Sequence, residues 1–227
     1  MHFHLPKPLH GWREFAGEVG IIVIGVLIAL GAEQVVEAVH ERATVHQVRS
    51  ALIAELSEDR ARWEYLRAQD ECIEVRLSAL ELWASKAPSG ARLAQFQRPN
   101  LWSVHSSAWE LAKSNPAVER LPLSQRLTFA STYDIMSRFE RYLIDEDQDW
   151  KAINVRTSAP LTDSGRDDLT KAIAAARYDV ERRRNGYSGL FDRFNRLGIQ
   201  ADSNSGRLLG STRDLCAPLP DNTRGKH

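Results

Sequence analysis

Apolar residues follow two different patterns along this chain. Between Glu18 and Glu33 there is no charge, and Val19, Ile21, Ile22, Val23, Ile24, Val26, Leu27, Ile28 and Leu30 cover every side of a helix. Further on, Val45, Val48, Leu52, Leu56, Trp63, Leu66, Ile73, Leu77 and Leu80 recur at three, four or seven, with charges between them. The first pattern suits a helix with apolar surroundings on all sides. The second suits a helix with one buried stripe.

Three structures compete for the first stretch. The uncharged residues 19–32 make a helix of roughly 21 Å, short of a hydrocarbon core of roughly 30 Å. Length alone therefore favours a core helix or the apolar part of a cleaved signal. The apolar character runs past both glutamates, however, through Phe15 and Ala16 on one side and Val35, Val36, Ala38 and Val39 on the other. A helix over 15–39 can span with its acids near the two interfaces, and Trp12 suits the headgroup level. Ala29 and Gly31 are placed as a cleavage site would want, but Glu14 and Glu18 sit where a signal prefers positive charge. A domain of this size has little room to surround a helix apolar all round. The sequence thus predicts an N-terminal segment (1–14) and a transmembrane helix (15–39). Ala16 and Gly20 are four apart, as are Gly25 and Ala29, and such small pairs let two helices approach closely in lipid.

From Gln34 to about Ser85 there is no Pro or Gly, so the second stripe belongs to one long helix, possible as a continuation of the span. Glu55, Glu58, Arg60, Arg62, Glu71 and Glu74 fill its other faces, and Pro88-Ser89-Gly90 ends it. Residues 88–105 read as a loop. Ser107 and Glu110 fit a capping box that opens a short helix ending near Asn115-Pro116. A helix from about Leu123 to Val155 carries Leu127, Ala130, Ile135, Phe139, Tyr142 and Leu143. After Pro160, Asp163 or Ser164 caps a last long helix that carries Leu169, Ile173, Ala176, Val180, Leu190 and Phe194 and stops at Gly198. Gly186 and Gly189 weaken its middle. From Gln200 the residues turn to Ser, Asn, Gly, Pro and Arg, too polar to offset ordering entropy. The expected architecture is all-α: one transmembrane helix, a bundle of three long helices with short connecting ones (40–198), and a disordered tail (199–227).

Charge narrows the partners. Thirty basic residues balance 30 acidic ones, which removes nucleic acid from the expected partners. Near the span, Lys7 and Arg13 face Arg42 and Arg49 across it, almost a tie by the positive-inside rule. The N-terminal amine tips the orientation to N-in, which would put the C-terminal domain in a bacterial periplasm. Two cysteines, Cys72 and Cys216, are too few for a disulfide scaffold and too scattered for zinc. One bond between them is open in an oxidising compartment, and a loose thiol in the tail is the plainer reading.

Candidate chemistry is thin. Asp145-Glu146-Asp147-Gln148-Asp149 begins like a calcium loop but has Trp150 where a turn glycine is needed and Arg156 where a bidentate Glu should stand. It reads as a solvated acidic face. Arg182-Arg183-Arg184 points in three directions on a helix and reads as a solvated basic one, with anionic lipid as a minority alternative. The histidines lack metal spacing. Gly186-Tyr187-Ser188-Gly189 is one residue short of a nucleophile elbow and has no strand before it. Trp102, Trp109 and Trp150 suit either a pocket or a core. No catalytic, cofactor or metal-binding residue is assigned, and an enzyme is not expected.

Gly17-Glu18-Val19 followed by Val23-Ile24-Gly25-Val26-Leu27-Ile28-Ala29-Leu30 resembles the N-terminal signature of a family of uncharacterised bacterial single-pass membrane proteins. The polar exit, Gly31-Ala32-Glu33-Gln34, departs from the Asn- and Trp-containing exit of that family. The resemblance implies a short anchor before a helical domain and carries no activity. The sequence therefore leads to an inner-membrane interaction, scaffold or accessory protein. Its partners would be the lipid bilayer through Trp12, and a protein partner or a second copy through Ala16, Gly20, Gly25 and Ala29. The alternative is a tethered ligand-sensing domain working with a separate signalling protein.

Overall fold

The computed structural model describes residues 11–208 and 213–220. It is all-α, with no strand among the described residues. Helix α1 is Trp12–Lys86, α2 is Ser107–Lys113, and a 3-10 turn covers Pro116–Arg120. Helix α3 is Leu123–Ser158, α4 is Asp163–Leu197, and two short helices follow, α5 over Ser203–Leu208 and α6 over Arg213–Cys216. The chain divides into two compact units, one up to Gln47 and one from Val48 onward.

In the first unit α1 is naked. Ile21, Ile22, Leu27 and Ile28 are each more than 60% exposed, and the apolar residues between them are exposed too. This helix is long and apolar enough to cross a membrane.

In the second unit α1, α3 and α4 pack lengthwise. Residues on α1 and α3 meet in rising order, Glu55 with Tyr133 and Trp63 with Phe139, so these two helices run parallel. Those on α1 and α4 meet in opposite order, Arg60 with Asn195 and Glu74 with Arg177, so α4 runs antiparallel to them. The segment 87–106 is the return that a parallel pair requires. It lies along the bundle as an irregular strap: Leu93 N–H donates to Thr157 O (2.8 Å), Arg98 pairs with Asp147 (2.9 Å), and His105 N–H donates to Asp59 Oδ1 (3.2 Å). The stripes read from the sequence form most of the core, with Leu52, Leu56, Leu66, Ile73, Leu77 and Leu80 on α1, Ile135, Phe139 and Leu143 on α3, and Leu169, Ile173, Ala176, Val180, Leu190 and Phe194 on α4 all buried. Leu127, expected in the α3 stripe, is exposed near the start of that helix.

Helix ends differ from the sequence expectation in two places. Thr162, one residue earlier than expected, caps α4 by accepting from Gly165 N–H (3.0 Å). The capping box at Ser107 does not form. Glu110 turns outward to Lys113, and Glu55 of α1 takes over, accepting from Ser107 Oγ (2.9 Å) and Ala108 N–H (2.8 Å). A buried carboxylate satisfies free helix donors better than an exposed one, because water does not compete for them. At the other end of α4, Gly198 takes φ +69° and Ile199 N–H bonds back to Phe194 O (2.9 Å), a left-handed stop that favours glycine.

The chain beyond Gln200, expected to be loose, touches the bundle at several described points, while Ser203, Asn204 and 216–218 stay exposed. Asp202 N–H donates to Ser57 O, Leu215 is buried in the core, and Arg76 donates to Leu215 O (2.9 Å) and Ala217 O (2.7 Å). Cys72 and Cys216 form a disulfide with Cα atoms 4.8 Å apart, so the unrelated-thiol reading is replaced by a staple. Residues 209–212 and 221–227 lie outside the described residues.

Candidate functional site

The interior of the second unit is polar in places where its sequence is not conspicuously so. Helix α1 places Glu55, Asp59, Gln69, Asp70 and Arg76 on its buried side, among the leucines of the stripe. By charge alone Glu55 belongs on a solvated face. In the structure its Oε1 also accepts from Tyr133 Oη (2.8 Å), so three donors hold it. Burial, then the Glu55 bond, pushes the Tyr133 hydroxyl pKa up.

The two charge runs are not solvated faces throughout. Arg183, the middle arginine, and Glu146, in the acidic run, have no exposed side-chain surface and pair at 3.0 Å. Arg183 also donates to Asp70 Oδ1 (2.7 Å) and to the Tyr187 hydroxyl. Burial pushes both Glu146 and Asp70 up, with Arg183 opposing. Burial opposes the Arg183 charge, and Glu146, Tyr187 and Asp70 outweigh it. Arg183 binds both carboxylates and the Tyr187 hydroxyl inside the protein, which marks a structural network. Asp149, half-buried on the same helix as Glu146, is pushed up to about 6 by burial and by Asp179, Asp145 and Glu146.

One place combines a buried acid with open space. Asp59 is 1% exposed, and Arg62 (3.1 Å) and His105 N–H (3.2 Å) both bond its Oδ1. Its Oδ2 is buried with no hydrogen-bond partner among the described residues. Burial pushes the Asp59 carboxyl up to about 7 against the pull of His105 N–H and Arg62. Asp59 and Arg62, with Trp63, Leu66, Trp102 and Leu143, line a narrow recess of about 10 Å³. A second recess of about 200 Å³ shares Trp102, Ser103 and Leu143 with the first and extends over Leu101, Ile144, Glu140 and Asp147. The strap thus covers two adjoining recesses, the smaller against α1 with Asp59 in its lining and the larger against α3. Trp102 lines both recesses and meets Tyr65 edge-on at 5.1 Å.

The three tryptophans considered in the sequence divide accordingly. Trp150 is core and Trp109 stacks flat on Tyr133, while Trp102 lines the cleft. Sequence reasoning missed Asp59 altogether. The available signal was an acid between Leu56 and Trp63, on the apolar side of α1.

The residues assigned to membrane and packing roles all lie on α1 in the first unit. Trp12 is 79% exposed and its ring meets Phe15. A side chain added at Gly20 or Gly25 would meet no atom within 4 Å. Among the described residues no group of three or more His, Cys, Asp and Glu side chains is arranged to hold a metal ion.

Fold and cleft together define an all-α domain that follows one apolar helix of membrane-crossing length. No protein-family model, curated protein or solved structure matches the chain.

Proposed function

We propose that this protein is a single-pass, membrane-anchored helical interaction protein of the bacterial envelope. One observation carries the reading: the apolar face of α1 over 15–39 runs all round the helix and is left uncovered by the described residues. Exposed aliphatic surface on that scale costs about 25 cal/mol per Å² in water, and lipid removes the cost. The likeness of Gly17–Leu30 to the anchors of bacterial single-pass proteins supports the same reading. The Cys72–Cys216 disulfide favours an oxidising compartment for the second unit, hence N-in and a periplasmic domain. Small residues at Ala16, Gly20, Gly25 and Ala29 would bring a second copy or a partner helix close. A ligand-binding role for the domain, the second reading, is favoured by the cleft at Asp59.

Membrane fractionation with two C-terminal reporters tests the anchor and its orientation. A membrane-bound, alkaline-phosphatase-active fusion and a dark fluorescent-protein fusion are the expected pair. A protein that leaves the membrane at high pH or high salt overturns the reading, and a fluorescent, phosphatase-inactive pair overturns the periplasmic placement.

A further inference from the structure

Asp59 is unusual among the buried acids of this domain. Glu55 accepts three hydrogen bonds, and Asp70 and Glu146 are paired to Arg183. Only one oxygen of Asp59 is used, and leaving a buried carboxylate oxygen unpaired is costly. That oxygen belongs to a residue lining a cleft that opens past Trp102. The inner recess, at about 10 Å³, has room for one water-sized group. The outer recess is far larger, at about 200 Å³, and mixes apolar walls, Leu101, Trp102 and Ile144, with the acids Glu140 and Asp147 and with Lys151, which is paired to Asp147.

The charge of the surroundings decides the ligand class. The inner recess is lined by Asp59 and by Arg62, which is already committed to Oδ1 and the His105 ring, and the outer one by Glu140 and Asp147 and by Lys151, which is committed to Asp147. An anion would meet carboxylates at both ends of the cleft. A guanidinium is too large for the inner recess, and a quaternary ammonium has no N–H to donate. A primary ammonium is about the size of water, carries three donors and a full charge. An aromatic face such as Trp102 attracts a cation and covers an apolar body equally well.

We propose that the adjoining recesses under the strap, against α1 and α3, bind a small primary amine with an apolar body, its ammonium on Asp59 Oδ2 and its body against Trp102. The site lies wholly in the second unit, so it stands whether or not 15–39 crosses a membrane.

The test uses the full chain in lipid nanodiscs, titrated calorimetrically with 2-phenylethylamine, butylamine, 2-phenylethanol and a trimethylated phenylethylammonium. Saturable binding of at least one primary amine is expected, with the alcohol and the quaternary ion weaker by on the order of tenfold or more. Asp59→Asn should abolish that preference, because it puts an amide donor or an uncharged oxygen at the Oδ2 position. Trp102→Ala, at a half-buried strap position, should weaken the amine by about tenfold with the fold intact. If Asp59→Asn does not fold, Trp102→Ala decides. Equal affinity for amine and alcohol, binding unchanged in Trp102→Ala, or no saturable binding of either amine to the folded protein overturns the proposal.

Discussion

Arg183 of α4 and Glu146 of α3 pair at 3.0 Å with neither side chain reaching solvent. Each comes from a run of charges that a sequence pattern places at the surface. Removing one partner of a buried pair leaves an uncompensated charge, which costs about 3–5 kcal/mol. Arg183→Ala leaves both Glu146 and Asp70 without their cation, so it should destabilise the domain by about that amount. Its neighbour Arg184 is half-exposed and lies 3.9 Å from Asp70, and Arg184→Ala should change stability by less than about 0.5 kcal/mol. Denaturant unfolding of the two variants checks this. Similar losses for both would show that position in the arginine run does not matter.

The contrast explains what could be read beforehand. The stripes on α1 and α4, the stop at Gly198 and the break at Pro88 follow from local chemistry and are where the sequence puts them. Burial of Arg183, Glu146 and Asp70 does not follow, because it depends on partners 37 and 113 positions apart that meet only in the folded bundle. The same holds for the Glu55 cap on α2. A local Ser-x-x-Glu pattern is present at Ser107, and a distant carboxylate displaces it. The Cys72–Cys216 bond, with a separation of 144, lies wholly beyond local pattern.

Gly186 is a packing requirement. A methyl group there would fall inside the Phe139 ring, whereas one at Gly189 would meet Arg193 Nη1 at 3.4 Å and Ile135 Cδ1 at 3.7 Å. Gly186→Ala should therefore destabilise by about 1–3 kcal/mol through overpacking, despite a better helix propensity. Gly189→Ala should be neutral or stabilising by up to about 1 kcal/mol. Phe139→Leu on the Gly186→Ala background should recover part of the loss, and a double-mutant cycle measures the coupling. Additive effects would remove Phe139 as the cause.

Asp59 makes stability depend on pH in a definite direction. Its carboxyl is held at about 7 in the folded domain against an ordinary value of 3.8, so the folded state binds its proton more tightly. Its contribution is fully present below about 3.8 and is lost as pH rises through about 7. Asp149, held at about 6, acts in the same sense over a narrower window. Glu55, Glu58, Arg62 and His105 surround Asp59, so the change is best isolated by difference. The stability of wild type minus that of Asp59→Asn should rise between pH 7.5 and 5. A flat difference would mean that Asp59 keeps an ordinary acidity in the fold.

The staple between Cys72 and Cys216 closes most of the second unit into one loop. It joins α1 to a C-terminal segment that otherwise holds on through buried Leu215 and the two Arg76 hydrogen bonds. Cross-linking a loop this long removes unfolded-state freedom worth about 2–5 kcal/mol. Reduction, or the double substitution Cys72→Ser with Cys216→Ser, should lower stability by that amount. Hydrogen exchange should speed up first at 213–220, because Leu215, Leu219 and the Arg76 hydrogen bonds hold the segment less firmly than the bundle core is held. Loss of protection spread evenly over α1, α3 and α4 would place the staple in the global fold and not in the docking of this segment. Mass spectrometry after alkylation without reductant gives the accompanying check on compartment. Protein exported by its own span should show no free thiol, and protein held in a reducing cytoplasm should show two.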